Sequence, residues 1–272
     1  MRVLTCALLC LVVLTGCGNN AVPAADGSGN NTVPAANGSG TSADKLRERE
    51  NVIATCMKKK GFGYVPTVSR PKRSDAGTAD YAAMKEDRGK YGFGIFSAFV
   101  YPEQAPTPEP DPNEATINSL SGAKRQAYLK TMNECRVTAL QQVDGLKVTS
   151  LDDYQEQMSK EIERIDKELD GDPKLVELAG SFAECLKSKG EQVTSSRPNR
   201  LSGRGMTVWG EEAKRLGKKG TVTAEAARPY LAREIKSALV DLECGKDFYA
   251  AYIPLGTRLT NEARVRFGFT EQ

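Results

Sequence analysis

Across 272 residues, lysine and arginine (38) barely exceed aspartate and glutamate (35), and histidine is absent. The near-even balance leaves no global field to steer the chain to nucleic acid. The missing histidine removes the usual general base and the commonest metal ligand, which excludes Ser-His-Asp and Cys-His mechanisms and histidine-ligated zinc.

The chain opens with one basic residue, Arg2, and an apolar run from Val3 to Leu14. A charged start and a short apolar middle make residues 1–16 a secretory signal peptide. The run is too short to span a ~30 Å hydrocarbon core, which needs ~20 residues. Its closing residues, Leu14-Thr15-Gly16-Cys17, resemble the lipobox of bacterial lipoproteins. The resemblance implies cleavage before Cys17 and a diacylglycerol on its thiol. The expected location is the outer face of the cell membrane.

A linker follows over residues 17–42. Asn19-Asn20-Ala21-Val22-Pro23-Ala24-Ala25-Asp26-Gly27-Ser28-Gly29 recurs, with two changes, as Asn30 to Gly40. Small residues, prolines and glycines bury too little apolar surface to order themselves. Such a tether spans on the order of 25–30 Å and leaves the folded part free to turn.

Order is expected from Ser42, a cap for a helix carrying Leu46, Ile53, Cys56 and Met57 on one face. Lys58-Lys59-Lys60 suit its negative end, and Gly61 stops it in the left-handed conformation, with Phe62 folding back. Residues 62–66 read as extended, and Arg70, Lys72 and Arg73 as exposed loop. A short helix is expected from Thr78 to about Arg88, presenting Tyr81 and Met84. Tyr91-Gly92-Phe93-Gly94-Ile95-Phe96 lacks the strand and helix of a dinucleotide fingerprint and reads as a tight turn on the core. Prolines and acids alternate from Pro102 to Pro112 as an extended spacer.

A helix from Ser121 to about Val143 buries Ala127, Tyr128, Met132, Cys135, Ala139 and Val143. Ser150 and Asp153 form a capping box for the next, whose Leu151, Tyr154, Met158, Ile162, Ile165 and Leu169 make a narrow apolar seam. Asp172-Pro173 starts another, with Leu175, Leu178, Phe182, Cys185 and Leu186 inward and Gly190 at its end. Residues 191–220 read as an irregular, basic loop. The last long helix begins near Thr223, with Leu231, Ile235, Leu239, Leu242 and Tyr249 inward. A short C-terminal helix capped by Thr260 follows.

Four cysteines, Cys56, Cys135, Cys185 and Cys244, remain in the mature chain. An even number in an exported chain implies two disulfides. Their isolation argues against a four-thiolate metal site, which uses closely spaced pairs. Cys56-Met57-Lys58-Lys59-Lys60-Gly61 matches Cys185-Leu186-Lys187-Ser188-Lys189-Gly190. Each is followed by a longer helix containing Glu-Cys, at Glu134-Cys135 and Glu243-Cys244. Two similar helix-loop-helix units, 43–148 and 149–272, with bridges Cys56–Cys135 and Cys185–Cys244, are the economical reading. Crossed pairing between the units is the alternative. The expected fold is mainly α, stapled by disulfides, with long irregular loops.

These helix ends, together with Tyr91-Gly92-Phe93-Gly94-Ile95, Asn118-Ser119-Leu120-Ser121 leading into Tyr128, and Ala238-Leu239-Val240-Asp241-Leu242-Glu243-Cys244, resemble a group of actinobacterial lipoproteins. The resemblance implies an exported, lipid-anchored, disulfide-bonded helical protein and assigns no activity.

Enzymatic readings find little footing. Ser-x-x-Lys occurs at Ser42–Lys45 and Ser121–Lys124, but both serines are explained as caps, and a penicillin-binding fold needs further motifs and a sheet. Asp152-Asp153 and Glu211-Glu212 sit on solvated faces. The expectation is an envelope protein with a binding or structural role, no enzyme, no cofactor and no metal. Its partners are the membrane, through the lipid on Cys17, and a cell-wall polymer or envelope protein, with no nucleic acid. Arg197, Arg200, Arg204, Lys214, Arg215, Lys218 and Lys219 are the candidate contacts to an anionic polymer. An accessory subunit using the 151–169 seam, and a histidine-free cell-wall hydrolase, are the alternatives.

Overall fold

In a computed structural model, the described residues are 42–68, 79–104, 110–218 and 220–267. Cys17, the signal segment, the repeated linker, the 70–73 basic residues and the middle of the proline-rich spacer lie outside them. Among the described residues the fold is helical, with no strand. The helices are α1 (Ser42–Lys59), α2 (Tyr81–Tyr91), α3 (Ser97–Val100), α4 (Glu114–Ser119), α5 (Gly122–Val143) and α6 (Leu151–Gly171). They continue as α7 (Pro173–Ser188), α8 (Pro198–Ser202), α9 (Arg204–Gly217), α10 (Ala224–Cys244) and α11 (Lys246–Phe267). No helix among these residues is long and apolar enough to cross a membrane.

Caps read from residue chemistry form as such. The Asp172 carboxylate accepts from the Leu175 N–H at 2.9 Å, and the Thr223 hydroxyl from the Ala226 N–H at 3.2 Å. Ser150 accepts from the Asp153 N–H, while the Asp153 carboxylate reaches back to the N–H of Thr149. Ser121 occupies the N-cap position of α5 without a side-chain cap bond. Gly61 (φ 83°) and Gly190 (φ 77°) close α1 and α7 in the left-handed conformation. At each, the residue after the glycine donates back to the same place: Phe62 to the carbonyl of Met57, Glu191 to that of Leu186.

The described chain divides into two compact units. In one, with residues 42–68, 110–162 and 261–267, α1 lies along α5. Ile53, Met57, Tyr128, Cys135 and Ala139 form its core, and Phe62 folds back edge-on to Tyr128 at 5.4 Å. Asn113 holds the extended 62–66 segment, donating to the Val65 carbonyl and accepting from its N–H. The Cys56–Cys135 bridge joins α1 to α5 across 79 residues, with Cα atoms 5.6 Å apart.

The second unit holds residues 79–104 and 163–260. Helices α2, α3 and α7 all pack on α10, and the Cys185–Cys244 bridge ties α7 to α10 across 59 residues. One core cluster gathers Phe182, Leu186, Leu201, Leu242, Phe248 and Tyr249. Another surrounds Phe96, which stacks on Tyr230 at 5.0 Å and meets Trp209 edge-on. Both disulfides are those expected from the echoing cysteine segments. The units themselves are interleaved along the chain, where two consecutive ones divided at 148/149 were expected. Residues 79–104 pack with the later helices because their polar anchors sit on α10.

Two further expectations need correcting. Residues 191–220 are not an irregular loop: they hold α8 and α9. Pro198 takes the first turn of α8, and Leu201 and Gly205 are buried beneath the neighbouring rings. Five glycines from 203 to 220 hide this helix from a propensity reading, because tertiary packing rather than propensity stabilises it. The C-terminal helix is not short either. It runs unbroken from Lys246 to Phe267 with Pro254 inside, since Phe248, Ile253, Leu259, Ala263 and Phe267 give it one continuous buried stripe. Tyr249 belongs to this helix and not to α10.

Helix α9 crosses Phe93 at Gly205 so closely that an added Cβ would overlap the ring. Gly205→Ala should therefore cost about 1–3 kcal/mol, despite alanine's better helix propensity. Urea unfolding would measure it, and an unchanged or raised midpoint would contradict the close crossing.

Candidate functional site

A cleft of about 370 Å³ opens beside the Cys185–Cys244 bridge, lined by α2, the end of α7 and the last turns of α10. Each wall has a local cause. Asp80 caps α2 by accepting from the Ala83 N–H at 2.7 Å, which sets Tyr81, Met84, Lys85 and Arg88 on one face. Arg88 pins that face to α10, donating to Asp241 at 2.6 Å and to the Ala238 carbonyl at 3.2 Å. Its guanidinium also lies 4.8 Å from the Tyr249 ring. The left-handed turn at Gly190 ends α7 and leaves Lys189 on the rim.

The floor is apolar, formed by Leu239, Val240, Leu242 and the Cys244 end of the bridge. The rim is cationic. Lys85, Lys189 and Lys236 line the cleft, and Lys246 stands 5.2 Å from the Tyr81 ring centroid. All four lysines are exposed, and none is ion-paired with a described carboxylate. The acidic residue at the rim is Glu243, and the Tyr81 hydroxyl donates to it at 2.6 Å. That hydrogen bond to Glu243 raises the Tyr81 phenol above its ordinary pKa, so the tyrosine stays neutral beside the carboxylate. Three lysines lining the cleft and a fourth beside Tyr81 outnumber this one carboxylate, which leaves a net positive rim over an apolar surface.

The residues expected from sequence to meet an anion are placed differently. Arg204 is 4 % exposed, so it is no surface contact. It donates to the Gln192 carbonyl and to Glu191, and its Nε faces Asp241 at 3.4 Å. A buried guanidinium stays only where carboxylates and carbonyls surround it. Arg197 pairs with Asp170 at 2.7 Å, Lys214 with Glu211 at 2.7 Å and Arg215 with Glu212 at 2.9 Å. Arg200 and Lys218 are exposed, and Lys219 lies outside the described residues. The region's charge is thus largely neutralised in place, and these residues do not converge on one cleft.

Two buried carboxylates on α10 escape a sequence reading. Glu234 is fully buried and accepts three backbone N–H bonds, from Phe93 and Ile95 at 2.9 Å and from Phe96 at 2.8 Å. The Tyr91–Phe96 turn is therefore a nest closed around one carboxylate. Gly92 has φ 67° and an added Cβ there would meet Glu234 at 2.8 Å, so glycine is required. Asp241, also fully buried, accepts from Arg88 and from the Tyr249 hydroxyl at 2.7 Å. Both carboxylates lie on the stripe of Leu231, Ala238 and Leu242. Acidic residues at apolar positions were the available signal.

The other unit has its own groove beside Cys56, lined by Lys59 and Lys60. There Glu48 shares the lining and Lys60 is paired with Glu134 at 2.8 Å. Its two lysines therefore face two carboxylates, whereas the four lysines of the α2–α10 cleft face one. Among the described residues, no group of three or more acidic or cysteine side chains could hold a metal ion.

The fold and cleft define a disulfide-stapled helical protein with a cationic, apolar-floored groove. Compared with protein-family models, curated proteins and solved structures, the chain matches none.

Proposed function

We propose that this is an exported, lipid-anchored protein of the cell envelope that binds an anionic ligand in the α2–α10 cleft and catalyses no reaction. The observation that carries the binding role is the gathering around Tyr81 of four lysines that form no ion pair with a described carboxylate. The two disulfides support export, because such bridges persist in oxidising compartments. The Leu14-Thr15-Gly16-Cys17 segment supports the anchor. Absence of histidine and engagement of the cleft's one carboxylate by Tyr81 support a role without chemistry.

The anchor is tested by mass spectrometry of the natural protein, which should begin at an acylated Cys17. Cys17→Ala should shift the protein away from the membrane fraction, and an unmodified residue 17 would end this reading. The binding role is tested on purified anionic wall polymer and on anionic lipid. Retention should fall steeply as salt rises, because exposed lysines act through screened charge. Retention indifferent to salt would count against the cleft.

A second reading, an accessory subunit of an envelope complex, has its own support. Of the α6 seam only Leu169 is fully buried, while Leu151, Tyr154, Met158 and Ile162 stay partly exposed. Crosslinking from position 158 in intact cells would capture such a partner if the helix serves one.

A further inference from the structure

We infer that the cleft seats the phosphodiester headgroup of an anionic membrane lipid, with the first methylenes of its chains on the Leu239–Val240 floor. This rests on the proposed anchorage at the membrane, which brings lipid to the cleft at high local concentration.

The geometry narrows the ligand class in three ways. First, the cations are lysines, compact point charges that can converge on one phosphate group from several sides. Second, the surface between them is hydrocarbon and a disulfide sulfur, which no fully hydrated polymer anion would use. An amphiphile uses both at once, its charge on the rim and its chain on the floor. Third, 370 Å³ lies near the lower end of ligand-pocket sizes, which fits one head and a short length of chain. The groove beside Cys56 is a natural comparison, since its lysines share their surroundings with Glu48 and Glu134.

The test uses the full mature chain with Cys17→Ser, so that no acyl group contributes to membrane attachment. The probe is a vesicle of phosphatidylglycerol in phosphatidylcholine, with pure phosphatidylcholine as the blank. Binding is expected to the first alone. Replacing Lys85, Lys189 and Lys236 together by glutamine should weaken it about a hundredfold, from roughly fivefold per lysine at an anionic surface. Glutamine at the exposed Lys124, Lys130 and Lys174, an equal change of net charge, should weaken it less than about threefold. Monomeric dihexanoyl phosphatidylglycerol should compete, and glycerol phosphate at the same concentration should not.

No binding by the parent chain, equal loss in the two triple variants, or equal competition by glycerol phosphate would each overturn the proposal. All the substituted lysines are exposed, and a matching circular dichroism spectrum and melting midpoint establish that each variant is folded. Because acylation is read separately from the mass of residue 17, failure of the anchor and failure of the cleft give different results.

Discussion

Glu234→Ala is expected to remove about 3–5 kcal/mol of folding free energy. The substitution leaves three N–H groups, those of Phe93, Ile95 and Phe96, without their acceptor in a site that water does not reach. It also empties the space against which Gly92 is held. Glu234→Gln should cost less, about 1–3 kcal/mol. Its carbonyl can serve the N–H groups of Phe93 and Ile95, but its amide then presents hydrogens to the N–H of Phe96. Urea unfolding of the three proteins gives the comparison. A loss under about 1 kcal/mol for alanine would mean that the 92–96 turn closes without this carboxylate.

The same residue sets a pH dependence. Burial pushes the Glu234 carboxyl above its ordinary range, and the three donors pull it only part of the way back. The folded chain therefore holds this proton more tightly than the unfolded chain does. Its contribution is fully present below the usual carboxylate range and is lost as pH rises through the folded value. Wild-type stability should fall more than that of Glu234→Gln across that window. A parallel pair of stability curves would show that the group ionises freely.

The second large effect belongs to the disulfides. Removing either, as Cys56→Ala with Cys135→Ala or Cys185→Ala with Cys244→Ala, is expected to cost about 4 kcal/mol. The loops they close span 79 and 59 residues, so the unfolded chain gains much freedom when a bridge is lost. Against a total of about 5–15 kcal/mol, loss of both should leave little folded protein at 37 °C. Unfolding with and without reductant measures this, and non-reducing peptide mapping checks the pairing. Coincident curves in the two conditions would contradict a stabilising role for the bridges.

Local chemistry made much of this fold readable in advance. Ser150, Asp172 and Thr223 announce helix starts through the oxygen each offers to a bare N–H. Gly61 and Gly190 announce helix ends through the left-handed backbone they alone adopt without strain. The echo of Cys56-to-Gly61 in Cys185-to-Gly190 carried the disulfide pairing, because each segment has its own Glu-Cys helix downstream. Tyr91–Phe96 reads as a tight turn from its glycines, yet nothing in those six residues names Glu234, 138 positions beyond Phe96, as the group it encloses.

The charges show the division most sharply. In sequence, Arg204 looks like its neighbours Arg197 and Lys214, one cation among several in a polar stretch. Only the folded chain brings Asp241 and Glu191 around it and removes it from the surface. Lys85, Lys189, Lys236 and Lys246 are scattered over more than 160 positions and form no run that a reader would mark. Helix caps, turns and cysteine segments are decided by neighbours within a few residues, so the sequence alone determined them. Which charges are cancelled and which are left facing one cleft depends on distances between residues far apart in the chain, and those the tertiary packing alone decided.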